Sequence, residues 1–313
     1  MGDYTKLSEG QVQQIFDLYE SEEVIEFKAL SLGISNSNYA ISTSNNKYLL
    51  KVSNDKSIDE LKEEMDILSF LSEQNYGLSI VPYATKEGEL VYEVGKLHGV
   101  LFPFVEGIPP GPNDATCFEI GQALAKLHSI HVSSNKFRSC EKLSYPASVI
   151  DKYVHDPKCP EDFKSCYEDL IGDRAKLYLK ENFHQGICHG DLYYDNTLFD
   201  HNHITAVLDF EQSGFGDTIF DLGISISGCC LEKGRISLDL INSYIEGYET
   251  LRLLPDNEKE FLHEAIIFGL LSISLWRIKR FKDGNLNPLM ADSYKQLIYR
   301  AEIFKQTVSE YEK

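Results

Sequence analysis

Two short apolar runs, Thr197–Phe199 and Ala206–Leu208, constrain the fold of this chain more than any other feature. The polar residues Asp200–His203 separate them, and a polar stretch between two apolar runs predicts the turn of a β-hairpin. Asn196 comes directly before the first run, and Asp209 comes directly after the second. A hairpin of this length places Asn196 and Asp209 side by side at its open end, where one ion can bind to both.

A third polar residue, Asp191, precedes Asn196 and follows His189 and Gly190. Phosphoryl transfer from ATP uses an aspartate, an asparagine and a second aspartate in this order and spacing. In that arrangement Asp191 accepts the proton of the substrate hydroxyl, while Asn196 and Asp209 hold Mg²⁺ against the triphosphate. The alternative is an ordinary polar turn followed by a strand that ends in an acidic residue. Because three residues fall in register, the sequence predicts an enzyme that uses ATP and Mg²⁺.

The charge of the chain limits its partners. Its 313 residues carry a formal net charge of −19, which repels nucleic acid and anionic lipid at long range. ATP is repelled as well, so nucleotide affinity must come from local groups and Mg²⁺. The apolar run Ala265–Trp276 is shorter than a membrane span. We expect ATP and a small-molecule alcohol as partners, and neither nucleic acid nor a membrane. The oligomeric state stays open.

Seven cysteines are scattered along the chain without the spacing of a metal site. Their odd number and the adjacent Cys229 and Cys230 suit reduced thiols better than a disulfide framework, although Cys159 can in principle face Cys166. The N-terminus lacks the charged-then-apolar pattern of a signal peptide. Together these features predict a cytoplasmic protein.

Residue patterning divides the chain into two lobes, because the segment 106–112 is dense in proline and glycine, which interrupt regular structure. Before it, the periodicity predicts helices and strands: helices over 8–20 and 57–73, and strands over 24–30, 38–43, 48–52, 89–94 and 99–104. After it, the pattern is mainly helical: 115–131, 163–182, 237–253, 257–282 and 288–312. This order predicts an α+β, two-lobed, protein kinase-like fold. The N-terminal antiparallel sheet lobe, 1–104, binds nucleotide, and the mainly helical lobe, 105–313, carries catalysis and substrate binding.

The segment 31–38, between the first two predicted strands, is the candidate phosphate-binding loop. Gly33 permits close approach of the backbone to an anion, and serine and asparagine side chains can join backbone N–H groups around it. The alternative is a plain β-turn. The residues that we expect to bind the phosphates are Gly33, Ser35, Asn36, Ser37 and Asn38.

Lys51 is the lone charge in an apolar strand, which suits contact with the α- and β-phosphates. An outward-facing surface lysine is the alternative. A glutamate on the following helix should pair with it, and Glu64 is preferred over Glu60 and Glu63.

Phe102 and Phe104 lie where the last strand of the first lobe meets the Pro- and Gly-rich segment. A connector at this place can turn backbone N–H and C=O groups toward the edge of adenine.

Three further polar residues are expected to support the catalytic loop. We expect Asp221 to hydrogen-bond the loop and hold His189 or Asp191, and His189 to be structural rather than a metal ligand. Asp217 is assigned the same supporting role or, equally, the cap of the following helix. His128 and His131 lack a third ligand and are expected at the surface or its boundary.

These residues resemble the aminoglycoside phosphotransferase and choline kinase-like superfamily of small-molecule kinases, which share the protein kinase fold. Within it, the chain is most similar to the type II homoserine kinases. The resemblance implies ATP-dependent phosphorylation of a small alcohol, with L-homoserine as acceptor in threonine biosynthesis. It is carried by four segments: 33–39, 119–128, 188–196 and 248–252.

The residues after Asp209 leave other acceptors open. Asp209-Phe-Glu211 looks more like choline or methylthioribose kinases, so choline, ethanolamine or an aminoglycoside is the alternative acceptor. A nucleotide-binding pseudokinase is the alternative from another class. Homoserine is a zwitterion and needs an acidic group and a basic or backbone donor, for which Glu211 and Arg277 are the candidates. For Arg277 the alternative is an ion pair on a helix surface.

Overall fold

The computed structural model describes residues 5–19, 23–30, 36–139, 144–284 and 287–311. The chain divides into two compact units, Met1–Glu106 and Gly107–Lys313. The boundary predicted from the sequence lies at residue 104, just before this division. Each unit is described by itself.

The first unit contains an antiparallel sheet of five strands in the order β1-β2-β3-β5-β4. Two helices accompany it. In chain order its elements are α1 (Glu9–Phe16), β1 (Glu26–Leu30), β2 (Asn36–Ser42), β3 (Lys47–Ser53), α2 (Ile58–Glu73), β4 (Tyr92–Val94) and β5 (Leu97–Pro103).

Both helices of the first unit begin at a serine. The side chains of Ser8 and Ser57 accept a hydrogen bond from the backbone of Gln11 and Glu60, whose own side chains bond back to the serine N–H. This reciprocal capping satisfies two N–H groups that a helix start otherwise leaves unpaired. The predicted cap at Ser8 is confirmed.

Alternation along β3 separates an apolar face from a polar one. Leu50 and Val52 are almost fully buried in a core that includes Phe16 of α1. Lys51, between them, points to the other face and is opposite Asn38 of β2 in the strand register. A charged residue can therefore stand in an apolar strand without entering the core.

The second unit is mainly helical and has three two-stranded pairings, β6–β9, β7–β8 and β10–β11. Its first part contains α3 (Asp114–His128), α4 (Ala147–Tyr153), α5 (Glu161–Leu170), α6 (Asp173–Tyr178), β6 (Gln185–Cys188), β7 (Thr197–Asp200), β8 (His203–Val207) and β9 (Gly214–Asp217). Its second part contains α7 (Thr218–Cys229), β10 (Leu231–Glu232), β11 (Arg235–Ile236), α8 (Leu238–Glu249), α9 (Asp256–Glu260), α10 (Leu262–Arg277) and α11 (Lys295–Tyr311).

The hairpin predicted over 197–208 is confirmed, since β7 and β8 pair as antiparallel strands. Two of the predicted long helices are wrong. The first, over 163–182, breaks at Gly172, which has a left-handed backbone (φ 47°) that a continuing helix cannot contain. The second, over 257–282, is divided at Phe261 into α9 and α10, and α10 ends in a wider π-type turn over 278–283.

Helix α7 was expected only as the helix that follows Asp217, and its extent was not predicted, because residues on all of its sides are buried. Nearly all of its residues are buried, and a helix that is hydrophobic all round shows no amphipathic period. It packs extensively against α10, so these two helices form the centre of the unit.

Within the described residues, no helix is long and apolar enough to cross a membrane. The six cysteines in that part of the chain are free, including Cys159 and Cys166.

Helices α3 and α8 touch backbone to backbone through two glycines. A Cβ added to Gly121 would lie 2.1 Å from the carbonyl oxygen of Tyr244, and one added to Gly247 would lie 2.1 Å from that of Phe118. Both distances are far inside van der Waals contact, so any side chain at either position forces the helices apart.

Replacing Gly121 by alanine should therefore destabilise the protein by about 2 kcal/mol, the usual range for overpacking a close contact. Urea unfolding followed by circular dichroism measures this change. Gly111→Ala is the matched control, because a Cβ there meets nothing within 4 Å, and it should stay within about 0.5 kcal/mol of the parent. Equal effects of the two substitutions would contradict the contact.

Candidate active site

The open end of the β7–β8 hairpin brings Asn196 and Asp209 together. The backbone N–H of Leu208 donates to the carbonyl oxygen of Asn196 over 2.8 Å, which places the residues flanking the two strands next to each other. Asp209 has a left-handed backbone (φ 58°, ψ 63°). Aspartate tolerates this conformation better than most residues, and here it turns the chain immediately after the strand.

Asp191 joins the same cluster. The side-chain nitrogen of Asn196 donates to the carbonyl oxygen of Asp191 at 2.8 Å and to its carboxylate at 3.3 Å. Burial raises the pKa of Asp191 well above its usual value, and the negative charges of Asp209, Asp195 and Glu211 raise it further. The three residues predicted to carry the chemistry therefore lie in one place.

This cluster fits a divalent cation. Carboxylate and amide oxygens are the ligands that Mg²⁺ prefers, and Asp209 and Asn196 supply one of each. The hydrogen bonds of Asn196 use its side-chain nitrogen, so its oxygen is left for a ligand. The mutual repulsion of Asp191 and Asp209 is also the kind of charge imbalance that a bound cation relieves.

Asp221 clamps the backbone of the catalytic loop. One carboxylate oxygen accepts the N–H of His189 at 2.7 Å and the other accepts the N–H of Gly190 at 2.8 Å. Gly190 has a left-handed backbone (φ 81°), and a Cβ there would lie 2.6 Å from the carbonyl oxygen of Gln212. The fully buried carboxylate of Asp221 thus fixes the backbone of the loop that carries Asp191.

The imidazole of His189 hydrogen-bonds within the loop. Nε2 lies 2.9 Å from the carbonyl oxygen of Leu208, and Nδ1 accepts the N–H of Asp191 at 3.3 Å. Burial lowers the pKa of His189, which favours the neutral ring that this pattern requires. His189 therefore ties Asp191 to the end of the hairpin.

The prediction that His128 lies at the surface or its boundary is wrong. It is 1% exposed; Nε2 lies 3.0 Å from the carboxylate of Asp221 and Nδ1 lies 2.7 Å from the hydroxyl of Tyr248. The signal was present in the sequence: Ile120, Leu124 and Leu127 mark the buried face of α3, and His128 continues it at helical spacing.

The chain of hydrogen bonds continues beyond Tyr248. Arg252 donates to the Tyr248 hydroxyl at 3.1 Å and to both oxygens of Glu258 at 2.7 and 2.9 Å. Since Asp221 can only accept, the Nε2 of His128 donates to it, while Nδ1 bonds to the hydroxyl of Tyr248. Five side chains thus form one network that ends at the catalytic loop.

Asp217 does not cap α7. It occupies the position before the helix, but its side chain makes no capping hydrogen bond and instead accepts from the side chain of Gln185 at 3.1 Å. The pairing of β6 with β9 places these two residues directly opposite each other, so the cross-strand contact replaces the cap.

In the first unit, Lys51 lies 3.3 Å from Glu64 of α2, which is 2% exposed. Lys56, which sequence reasoning missed, lies 2.8 Å from the other oxygen of the same carboxylate. Burial by itself raises the pKa of Glu64, but the charges of Lys51 and Lys56 outweigh it and the pKa is lowered. One buried glutamate therefore holds two ammonium groups.

The predicted phosphate loop is only partly described, because Gly33 and Ser35 lie outside the described residues. The expectation that Asn36 and Ser37 belong to a loop before the strand predicted at Asn38 is wrong, since β2 begins at Asn36 and pairs with β3 along these residues.

The side chain of Ser37 makes its hydrogen bonds within the protein and is not exposed to a ligand. It is fully buried, and its hydroxyl accepts from the backbone of Thr5 at 2.8 Å and from the side chain of Asn54 at 3.0 Å. Asn36 and Asn38 lie on the opposite face of the strand, the face of Lys51.

Phe102 belongs to β5 and is 8% exposed. The backbone N–H of Phe104 donates to the carbonyl oxygen of Lys47 at 3.2 Å, so this donor already has a hydrogen-bond partner in the neighbouring strand. A contact of this N–H with adenine would require that bond to be given up.

The two candidates for acceptor binding lie in different surroundings. The negative charge of Glu211 contributes to the raised pKa of Asp191, so Glu211 lies within electrostatic range of that carboxylate. Arg277, at the end of α10, donates to the carbonyl oxygen of Ser293 at 2.8 Å and to the side chain of Gln296 at 3.4 Å. Among the described residues it makes no ion pair.

Comparison with known proteins identifies the class. Residues 26–254, more than two thirds of the chain, match the model of the phosphotransferase enzyme family. The chain belongs to this family, and it is a kinase that transfers phosphate to a hydroxyl group.

Two curated relatives extend over most of the chain. A homoserine kinase of Agrobacterium fabrum is 25% identical over 271 residues, which cover 84% of this chain and 82% of that protein. A homoserine kinase of Neisseria meningitidis serogroup B is 24% identical over 284 residues, which cover 90% and 92%.

Solved structures agree on the fold. An amicoumacin kinase in complex with AMP-PNP and Ca²⁺ has a TM-score of 0.71 at 14% identity, over 96% of this chain and 94% of that chain. A microcompartment-associated aminopropanol kinase has the same TM-score at 18% identity, over 96% and 97%. The predicted α+β, protein kinase-like fold is confirmed.

Replacing Asp221 by asparagine should destabilise the protein by about 3 kcal/mol at neutral pH, because it removes a buried charge that holds two N–H groups and an imidazole. The His128 hydrogen bond and charge lower the pKa of Asp221 against burial, which raises it. The stabilisation is therefore present above the pKa of the unfolded chain, about 4, and is lost as pH falls through the folded value.

Urea unfolding across this pH range checks both parts of the prediction, and the difference between parent and variant should shrink in acid. Asp195→Asn, at an exposed position of the same loop, is the control and should change stability little. A constant difference at all pH values would contradict the role of the charge.

Proposed function

We propose that this kinase transfers the γ-phosphoryl group of ATP to the hydroxyl of L-homoserine, giving O-phospho-L-homoserine and ADP in threonine biosynthesis. The cluster of Asp191, Asn196 and Asp209 is the observation that carries the reaction type. The choice of acceptor is supported by relatives named homoserine kinase that cover more than four fifths of the chain.

Asp191 is proposed to orient the acceptor hydroxyl and to accept its proton as the new bond to phosphorus forms. A raised pKa makes a carboxylate a better base, and the burial and neighbouring charges of Asp191 act in that direction. Its position is fixed through Asn196, His189 and the backbone clamp of Asp221. In a loose transition state most of the acceleration comes from such positioning and from charge stabilisation.

Asn196 and Asp209 are the residues proposed to hold Mg²⁺. When bound, the cation neutralises charge that develops on the phosphoryl oxygens. The left-handed backbone of Asp209 and the hydrogen bonds of Asn196 to Asp191 hold both side chains before any ligand arrives.

In the first unit, Lys51 is proposed to contact the α- and β-phosphates, with Glu64 orienting it. Lys56 binds the other oxygen of the same glutamate. Asn36 and Asn38 lie on the same face of the sheet as Lys51. They are proposed to contact the phosphates together with it. Gly33, Ser35, Phe102 and Phe104 keep the nucleotide-binding roles predicted above, whereas burial of Ser37 argues against such a role for it.

A second acceptor class has one specific observation in its favour. Glu211 lies within electrostatic range of Asp191 and carries a carboxylate suited to an ammonium group, which choline, ethanolamine and aminoglycosides also carry. A pseudokinase is disfavoured because the three residues that such proteins lose are present and assembled.

A panel of acceptors separates these proposals. L-homoserine, choline, ethanolamine and an aminoglycoside are offered with MgATP, and ADP release is followed together with phosphorus NMR of the product. We expect turnover of L-homoserine with a kcat/KM at least about tenfold above that of every other acceptor, a difference of about 1.4 kcal/mol in transition-state binding. Turnover of choline without turnover of homoserine would refute the proposal.

Asp191→Ala should lower kcat by about a thousandfold, in the range expected for loss of a general base, and leave MgATP binding largely intact. Single-turnover kinetics and calorimetric titration of MgATP give the two readouts. Asp195→Ala, which removes an exposed carboxylate from the same loop, is the control and should remain active. Persisting activity in Asp191→Ala would remove this residue from its assigned role.

A further inference from the structure

Lys56 binds the same buried carboxylate as Lys51. Its ammonium group lies 2.8 Å from one oxygen of Glu64, and that of Lys51 lies 3.3 Å from the other. In the described part of the chain, no further side chain bonds to this carboxylate, which is 2% exposed. Each oxygen of Glu64 therefore has one cation of its own, and the shorter of the two contacts belongs to Lys56.

Two cations fix the orientation of a carboxylate more firmly than one does. A glutamate with a single partner can turn about its last side-chain bond, because that torsion is broad, and can bring either oxygen to the partner. In Glu64 the second oxygen is bound by Lys56, so the first stays turned toward Lys51. Without Lys56, Lys51 would be the one cation left beside a buried negative charge, which is unfavourable unless it is closely paired.

The backbone of Lys56 is held by three elements of the first unit. Its carbonyl oxygen accepts the hydroxyl of Ser53, the last residue of β3, at 3.2 Å and lies 2.7 Å from Nε2 of His98 on β5. The next residue, Ser57, is the N-cap of α2. Lys56 is thus anchored where β3, β5 and α2 meet, so its side chain reaches Glu64 from a fixed starting point.

The stability of α2 does not by itself favour a cation at this position. Lys56 lies directly before the N-cap, where the positive end of the helix dipole disfavours positive charge. Its ammonium group reaches past the first turn to Glu64, eight residues further along the chain. The ion pair with Glu64 is therefore the contact that offsets the unfavourable placement.

We propose that Lys56 is a positioning residue for nucleotide binding, which acts through Glu64 to hold the ammonium group of Lys51 in place for the phosphates of ATP. The inference rests on the proposed function, in which Lys51 contacts the α- and β-phosphates. Lys56 binds Glu64 and leaves the contact with the nucleotide to Lys51. When Lys56 is removed, Glu64 turns both oxygens to Lys51, and the phosphates must compete with a closer ion pair for the same ammonium group.

The test measures the binding of AMP-PNP with Mg²⁺ by calorimetric titration, which needs no acceptor. The parent enzyme is compared with Lys56→Met, Lys56→Arg and Lys51→Met, and far-UV circular dichroism checks that each variant is folded. Lys62→Met is the matched control. It removes the same charge from α2, where Lys62 forms an exposed ion pair with Glu89 at 3.7 Å.

We expect Lys56→Met to raise the Kd of AMP-PNP with Mg²⁺ about tenfold, which corresponds to about 1.4 kcal/mol of binding free energy. Lys56→Arg should recover most of this loss, because it returns a cation to the second oxygen of Glu64. The control should bind as the parent does. Steady-state rates with any acceptor that the enzyme turns over should show a higher KM for MgATP in Lys56→Met and little change in kcat.

A double-mutant cycle separates action through Glu64 from direct contact with the nucleotide. Lys56→Met is combined with Glu64→Gln, and the double variant is compared with Glu64→Gln alone. If Lys56 acts through the carboxylate, its loss should change the Kd of the Glu64→Gln enzyme by less than about twofold. A tenfold loss in both backgrounds would overturn the inference, and so would a Kd of Lys56→Met equal to that of the parent.

Failure of the proposed function gives a different result. If Lys51→Met binds AMP-PNP as tightly as the parent, Lys51 does not contact the phosphates, and both its proposed role and the inference fail. If Lys51→Met weakens binding while Lys56→Met does not, the proposed role of Lys51 stands and only the inference about Lys56 fails.

Discussion

The bond between the carboxylate of Asp221 and the backbone of the catalytic loop is the interaction on which the second unit depends. A fully buried charge is unfavourable by several kcal/mol unless it is surrounded by donors, and Asp221 has three: the N–H groups of His189 and Gly190 and the ring of His128. The loop must therefore adopt one backbone conformation for the charge to be satisfied. This backbone conformation determines where Asp191 lies.

In the first unit, Glu64 is a comparable buried carboxylate. Its carboxylate is buried and binds two ammonium groups, those of Lys51 and Lys56. Strand alternation places Lys51 on the face away from the apolar core, so charge and core share one strand without conflict. In both units a buried carboxylate organises the groups around it, and apolar packing fixes where that carboxylate lies.

Sequence reasoning reached the parts of this structure that depend on local spacing. The β7–β8 hairpin and the cluster of Asn196 and Asp209 follow from short apolar runs and one turn. The role of His128 did not follow, because its partner Tyr248 is far away in the chain and only tertiary packing brings them together. The break at Gly172 and the extent of the buried helix α7 were missed for related reasons, since neither has a periodic signal of its own.

The two glycines between α3 and α8 have a consequence that extends to the chemistry. Gly121 lies about two helical turns from His128 on α3, and Gly247 directly precedes Tyr248 on α8. The backbone contact at the glycines sets the separation of the two helix axes and thus the reach between the imidazole and the phenol. A single methyl group at either glycine would lengthen the distance between the imidazole and the phenol and weaken the hydrogen bond from His128 to Asp221. The absence of side chains at these two glycines therefore helps to hold Asp221, and through it the loop that carries Asp191, in place.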